Sequence, residues 1–196
     1  MEGTTYSTHG HEGEVSGHAP GDLELVRSFL SLHDHSKGGR DSLPPSAATT
    51  QAWLRAWGGL TADASPADLA WAAGVLDDLR SKVSGTSEAG APGAPERLND
   101  AARQAGLTIC FGCTEDAPVH TEATGVRGAV GRLLGIAFLS ELDGSWERLS
   151  GCANQDCRSV FWDRSKNRSG RWCSMDTCGN QAKVRAYRAR ERAAST

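Results

Sequence analysis

Four of the six cysteines in this 196-residue chain stand in two pairs of equal spacing, Cys152-x4-Cys157 and Cys173-x4-Cys178, with fifteen residues between the pairs. The stretch from 152 to 192 is too short to bury a core of its own, so metal ligation would supply much of its folding energy. Two short-spaced pairs at this separation can converge four thiolates on one tetrahedral ion, and zinc is the default occupant. A closed four-ligand shell leaves no open position for substrate, so the expected role is structural. An iron–sulfur cluster takes the same four ligands. Two symmetric, closely spaced knuckles fit zinc better.

The overall charge of −3 hides a division. Residues 1–150 carry 11 Lys+Arg against 20 Asp+Glu, and residues 151–196 carry 10 against 4. This is the footprint of a basic binding tail on an acidic body, although a dianionic zinc–thiolate centre would itself balance part of the positive charge. After Cys178 the chain reads as a helix to about Arg192. At ~100° per residue, Gln181, Arg185, Arg188 and Arg192 fall in one narrow sector beside a stripe of alanines. Lys183 and Arg190 project from another side. The loop 164–171 adds Arg164, Lys166, Arg168 and Arg171, and Arg158 follows the second cysteine. A basic helix and loop beside a metal site predict contacts to nucleic-acid phosphates, with double-stranded DNA favoured over RNA because a helix fits a major groove. One finger has a small footprint, which favours a homodimer reading two half-sites. Within the finger, Asn154 and Asn180 are expected to take left-handed or capping positions, Gly179 to permit close approach to the metal, and Phe161, Trp162 and Trp172 to form a small apolar layer.

Upstream, residues 1–20, including His9, His11 and His18, read as a polar tail. Apolar spacing predicts a helix over 23–35, ending near His33 and His35, then a loop over 36–46. Thr49 or Thr50 is the expected cap of a helix carrying Trp53, Leu54 and Trp57. Ser65-Pro66 opens the clearest helix, with the stripe Leu69, Ala72, Ala73, Leu76, Leu79 and Val83, ended by Gly85. Residues 85–93 read as an exposed linker and 95–105 as a short helix. Strands over 107–113 and 118–123 form a hairpin. A helix over 128–142, apolar almost all round, belongs in the core or at a dimer interface. The fold class is therefore α+β: an α-rich N-terminal domain with a β-hairpin over 21–145, then a small four-cysteine zinc-binding module with a C-terminal helix over 146–196. Asp143-Gly144 marks a short junction with room for reorientation.

Cys110-x2-Cys113 falls on the hairpin, with His120 on the returning strand. Two separate small hydrophobes, a thiol switch, and a metal or haem site built from Cys110, Cys113 and His120 are all compatible with this spacing. The apolar run 133–139 is far too short for a bilayer of ~30 Å, and no basic n-region precedes an apolar stretch near residue 1. A cytoplasmic protein with no membrane partner is expected. No acid/base pair, nucleophile elbow or phosphate loop stands out, so a non-enzymatic protein is expected.

The elements Cys152-Ala-Asn-Gln-Asp-Cys157, the run Phe161 to Arg168, Trp172-Cys173-Ser-Met, Cys178-Gly179-Asn180 and the helix from Ala182 to Arg190 resemble a CGNR-type zinc finger, the C-terminal module of bacterial proteins that pair it with an ABATE domain. The signature ends in arginine where this chain has Gln181, which removes one cation from the ridge. The upstream region is similar to an ABATE domain in its order and its Trp53-Leu54 helix, and departs from that family's opening motif over residues 26–31. The resemblance implies a stress-induced transcriptional regulator whose N-terminal domain senses a small-molecule effector and whose finger binds DNA. A redox or metal sensor, with cysteine chemistry as its activity through an iron–sulfur centre, haem or disulfide, is the alternative from a different class. An adaptor whose basic tail binds an acidic protein is a third.

Overall fold

The computed structural model describes residues 17–33, 45–86, 88–111 and 118–194. In chain order these form α1 (Leu23–Leu30), α2 (Ala47–Trp57), α3 (Pro66–Ser81), α4 (Ala94–Gln104), β1 (Leu107–Ile109), β2 (Val119–Thr121), α5 (Gly125–Leu142), a 3-10 turn (Ser145–Arg148), β3 (Leu149–Gly151), β4 (Val160–Trp162), a π-helical turn (Met175–Gly179) and α6 (Asn180–Ala194). The fold is α+β as expected: helix-rich, with two small antiparallel hairpins and a four-cysteine module ahead of a C-terminal helix.

Helix starts follow local chemistry. Ser65 Oγ accepts from Asp68 N at 3.1 Å, and Pro66 occupies the first turn where its missing N–H costs nothing. The cap of α2 is Ser46, whose Oγ accepts from Thr49 N at 3.2 Å, rather than Thr49 or Thr50. Thr50 lies a full turn inside, buried. Helix α1 stops at Leu30, earlier than apolar spacing suggests, because Ser31 turns its side chain to the second hairpin: its Oγ accepts from Val160 N at 3.0 Å. His33 Nδ1 then reaches Ser31 O at 2.6 Å. His9, His11, His35 and Cys113 lie outside the described residues.

Helix α5 sits at the centre and packs against α1, α3, α4 and β2. Val126, Val130, Leu133, Leu134 and Ala137 are buried, which places it in the core, while Phe138 and Leu142 face outward. Two of its glycines let β2 lie close. A Cβ on Gly131 would stand 2.9 Å from Thr121 Cγ2, and one on Gly135 would stand 3.3 Å from Val119 O. Trp53 tilts against Phe29 with ring centroids 5.0 Å apart and donates from Nε1 to Ser28 Oγ. Among the described residues no helix is long and apolar enough to cross a membrane.

Two segments pack more closely than their composition predicts. Gly17 and Ala19 are buried, and Trp162 N donates to Gly17 O at 2.9 Å, so the expected tail is laid against β4 from residue 17 onward. The glycine-rich stretch after α3 is largely exposed, as expected, and is tied back at two points: Gly90 N donates to Ser81 O at 2.9 Å, and Glu88 faces the buried Arg80 at 3.4 Å.

The second hairpin shares the helices' core. Trp146, Leu149 and Val160 belong to the same buried cluster as Val26, Phe29 and Leu79. Arg27 Nη1 donates to Val160 O at 3.0 Å, and Gly151 N to Ser84 O at 2.8 Å. Arg80, 2% exposed on α3, donates to Leu30 O and, at 2.9 Å, to Arg158 O. The boundary expected at residue 146 passes through this core, and these contacts oppose the reorientation a short junction suggested.

Candidate metal centre

Each cysteine is delivered by a separate piece of local structure. β3 and β4 pair in the register Leu149↔Trp162, Ser150↔Phe161 and Gly151↔Val160, and the ladder continues as Cys152 N donates to Ser159 O at 3.0 Å. The chain then turns back, with Cys157 N donating to Asn154 O at 2.9 Å, so that Cys152 and Cys157 face one another. Ala153 N donates to Arg171 O at 2.8 Å, which brings the Trp172-Cys173 segment alongside. The π-helical turn starts at Ser174, whose Oγ accepts from Thr177 N at 3.4 Å, and presents Cys178 just before α6. A Cβ on Gly179 would stand 2.9 Å from Met175 Sδ and 3.4 Å from Trp172 Cδ1. This glycine thus makes room for Met175 and Trp172.

The four sulfurs lie within 4.8 Å of one another. Cys157 and Cys173 Sγ are 3.8 Å apart, and Cys173 and Cys178 Sγ 3.7 Å. Ligands ~2.3 Å from a central ion at the corners of a tetrahedron are about 3.8 Å apart, so these two separations match edges of a tetrahedral four-thiolate metal site. Cys152 and Cys178 are buried, and the other two half-buried. Sulfurs this close cannot all ionise unless a cation sits among them. Cys152 is pushed up to about 12, first through its hydrogen bond with Cys157, while that same bond holds Cys157 far below the usual thiol range. A divalent ion would relieve this by taking all four as thiolates.

Residues 148–191 match the family model of the CGNR zinc finger. No curated protein matches the chain. The matched segment opens at Arg148, spans both knuckles and runs to Glu191 on α6. The matched segment therefore covers all four clustered cysteines and nearly all of the helix that follows them.

Within the matched segment, the loop between the knuckles is organised by Asp163, 3% exposed. Its Oδ1 accepts from Ser165 N at 2.8 Å and its Oδ2 from Gly170 N at 2.7 Å. A Cβ on Gly170 would stand 2.8 Å from that carboxyl carbon. Arg148 closes the loop by donating to Asp163 O at 3.0 Å. Burial works to raise the Asp163 pKa, but these N–H donors and Arg148 outweigh it and hold the carboxyl below its ordinary value. The left-handed residue of the finger is Arg168, at φ 51°; Asn154 and Asn180 instead take the capping role, Asn154 Oδ1 accepting from Asp156 N at 3.4 Å and Asn180 Nδ2 donating to Asp176 O at 3.1 Å.

The cations expected to meet nucleic acid divide into groups. Arg164 and Lys166 are exposed on the Asp163 loop, while Arg168 pairs with Glu147 and Arg171 stacks 5.3 Å over Trp172. Arg158 is turned inward, 3.9 Å from Glu88 and close to Arg80. On α6, Lys183, Arg188, Arg190 and Arg192 are exposed. Gln181 and Arg185 are exposed too, but both reach the first knuckle, where each bonds Asn154. Sequence reasoning gave Asn154 a turn role and missed that it meets a cysteine and two helix residues at once. Its position two residues after a ligand was the available signal. Phe161 is buried as expected, with Trp162 and Trp172 half-buried.

On the first hairpin, Cys110 N donates to Pro118 O at 3.0 Å, and His120 pairs with Thr108 across the strands. Cys110 is disulfide-bonded, which removes its sulfur as a metal ligand.

Proposed function

We propose that this chain is a non-enzymatic, DNA-binding transcriptional regulator of the bacterial cytoplasm, with zinc as the structural ion of its CGNR finger. The observation that carries this reading is α6: it bears Lys183, Arg185, Arg188, Arg190 and Arg192 against the single acid Glu191, and none of its residues is buried. A solvated helix of ~10–12 Å diameter fits a major groove ~12 Å wide. Arg164 and Lys166 on the Asp163 loop supply phosphate contacts beside it, and zinc, once bound, holds loop and helix in one unit.

The upstream ABATE-like helices would receive a small-molecule signal. Their route to the finger is Arg80, whose guanidinium joins Leu30 on α1 to Arg158, the residue after a metal ligand. A homodimer would supply the second half-site that one finger lacks.

The test is binding of the full-length protein to labelled duplex DNA across a salt series, with and without a zinc chelator. Chelator-sensitive binding is expected, with log K falling by about 0.9 per phosphate contacted for each unit of log salt. Failure to bind genomic or random duplex with the metal in place would overturn the reading.

A further inference from the structure

Asn154 is 4% exposed and its amide is fully committed. Nδ2 donates to Cys178 Sγ at 3.5 Å and to Gln181 Oε1 at 3.2 Å, while Oδ1 accepts from Arg185 Nη2 at 2.9 Å and from Asp156 N at 3.4 Å. The orientation of the amide is dictated by its partners: a guanidinium only donates and a thiolate only accepts. Gln181 must then turn its oxygen inward, an acceptor that lysine or arginine at this position would lack.

These bonds matter because α6 has little else to lean on. None of its residues is buried, and it packs chiefly against the π-helical turn that leads into it. A helix attached to its domain through one turn is free to swing unless a side chain fixes its azimuth. Asn154 fixes two points one helical turn apart, Gln181 and Arg185, and a long ion pair from Arg185 to Asp156 at 3.9 Å follows the same direction. The third point is Cys178 itself.

We propose that Asn154 is a positioning residue that aims α6 from the metal centre, and that Gln181 and Arg185 serve this latch instead of contacting nucleic acid. Metal loading then sets the direction of the helix as well as the fold of the knuckles. The surface left for phosphates on α6 is Lys183, Arg188, Arg190 and Arg192. The functional consequence rests on the DNA-binding reading; the latch itself is testable without DNA.

The experiment measures residual dipolar couplings of backbone amides in zinc-loaded full-length protein, wild type against Asn154→Ala and against the double variant Gln181→Ala/Arg185→Ala, with zinc content determined for each. In wild type, residues 182–194 should share one alignment frame with α5. In Asn154→Ala with zinc retained, couplings over 182–194 should shrink and leave that frame while those of α5 stay unchanged, which a general loss of stability would not produce. Should Asn154→Ala release the metal, the double variant decides by the same readout, because it leaves the bond to Cys178 intact. Duplex affinity should drop about tenfold, an ordinary coupling free energy. Unchanged α6 couplings in zinc-loaded Asn154→Ala, or in the double variant if that protein loses zinc, would overturn the latch. Shrunken couplings in a protein whose wild type binds no duplex would leave the latch standing and remove the DNA reading alone.

Discussion

Gly151 and Gly85 meet back to back: a Cβ on Gly151 would stand 2.7 Å from the Gly85 carbonyl carbon. The contact is backbone against backbone, so no flexible side chain can yield. Gly151→Ala is therefore expected to force the finger's hairpin away from the end of α3, at a cost of about 1–3 kcal/mol. Thermal unfolding should register this as a loss of roughly 2–4 °C per kcal/mol in a chain of this size. Gly74→Ala is the control. It lies within α3 with open space around it, and should gain roughly 0.5–1 kcal/mol from helix propensity. Equal melting temperatures for wild type and Gly151→Ala would show that the hairpin docks differently.

Removal of the metal should act on the finger and spare the helical core. Cys178→Ser, or chelation of the wild type, withdraws binding energy that for structural zinc amounts to about 10–16 kcal/mol in small modules. Hydrogen exchange should then show lost protection over 152–194, with Val130 and Leu133 in α5 still protected. Global loss of protection would mean that the ion supports the whole core.

Acid should loosen the basic loop through Asp163. Its folded pKa is depressed, so the stability it confers is present above the ordinary carboxylate value near 4 and is lost as pH falls through the lower, folded value. Asp163→Asn removes one charged acceptor and leaves the Gly170 N–H poorly paired, at about 1–3 kcal/mol. Urea midpoints from pH 7 downward should therefore separate the two proteins at neutral pH and bring them together in acid. A constant gap would assign the loss to packing instead of charge. The comparison between variants also subtracts the protonation of the cysteines, which affects both.

Charge neutralisation should sort the arginines. Lys166→Ala and Arg188→Ala should each weaken duplex binding for all sequences and lower the salt slope by about 1. Arg158→Ala should leave the slope alone and reduce stability slightly, since its guanidinium faces Glu88, while the backbone carbonyl that accepts from Arg80 is kept. A fall in slope for Arg158→Ala would add it to the proposed DNA-contacting residues.

The metal centre was legible because four cysteines at fixed spacing leave few alternatives, and the long helices were legible because Leu69, Leu76 and Leu79 repeat at the helical period. The Ser46 cap was obscured by Thr49 and Thr50, which carry the same chemistry three and four residues later; the difference lies in which hydroxyl meets a free N–H. The limits of α1 were set by Ser31 reaching a strand 129 residues away, and local composition contains nothing of that. Asp163 reads as one acid in a basic run, and only the folded loop turns it into the acceptor on which Ser165 and Gly170 converge. Gln181 and Arg185 fell on a basic ridge by helical geometry alone; their partner sits across the knuckle, where periodicity cannot see.

Leu149 and Val160 point into the core built by α1, α3 and α5. The finger is for this reason not a portable part. Spliced onto a foreign carrier, residues 148–191 would arrive with the inward face of their hairpin wet, at roughly 1.5–3 kcal/mol for each large side chain denied its burial. Val160 O would forfeit Arg27, and Arg158 O would forfeit Arg80. The metal could still gather its four sulfurs, but the transplanted piece would be sticky on the side away from α6, and any host would need a complementary apolar seat.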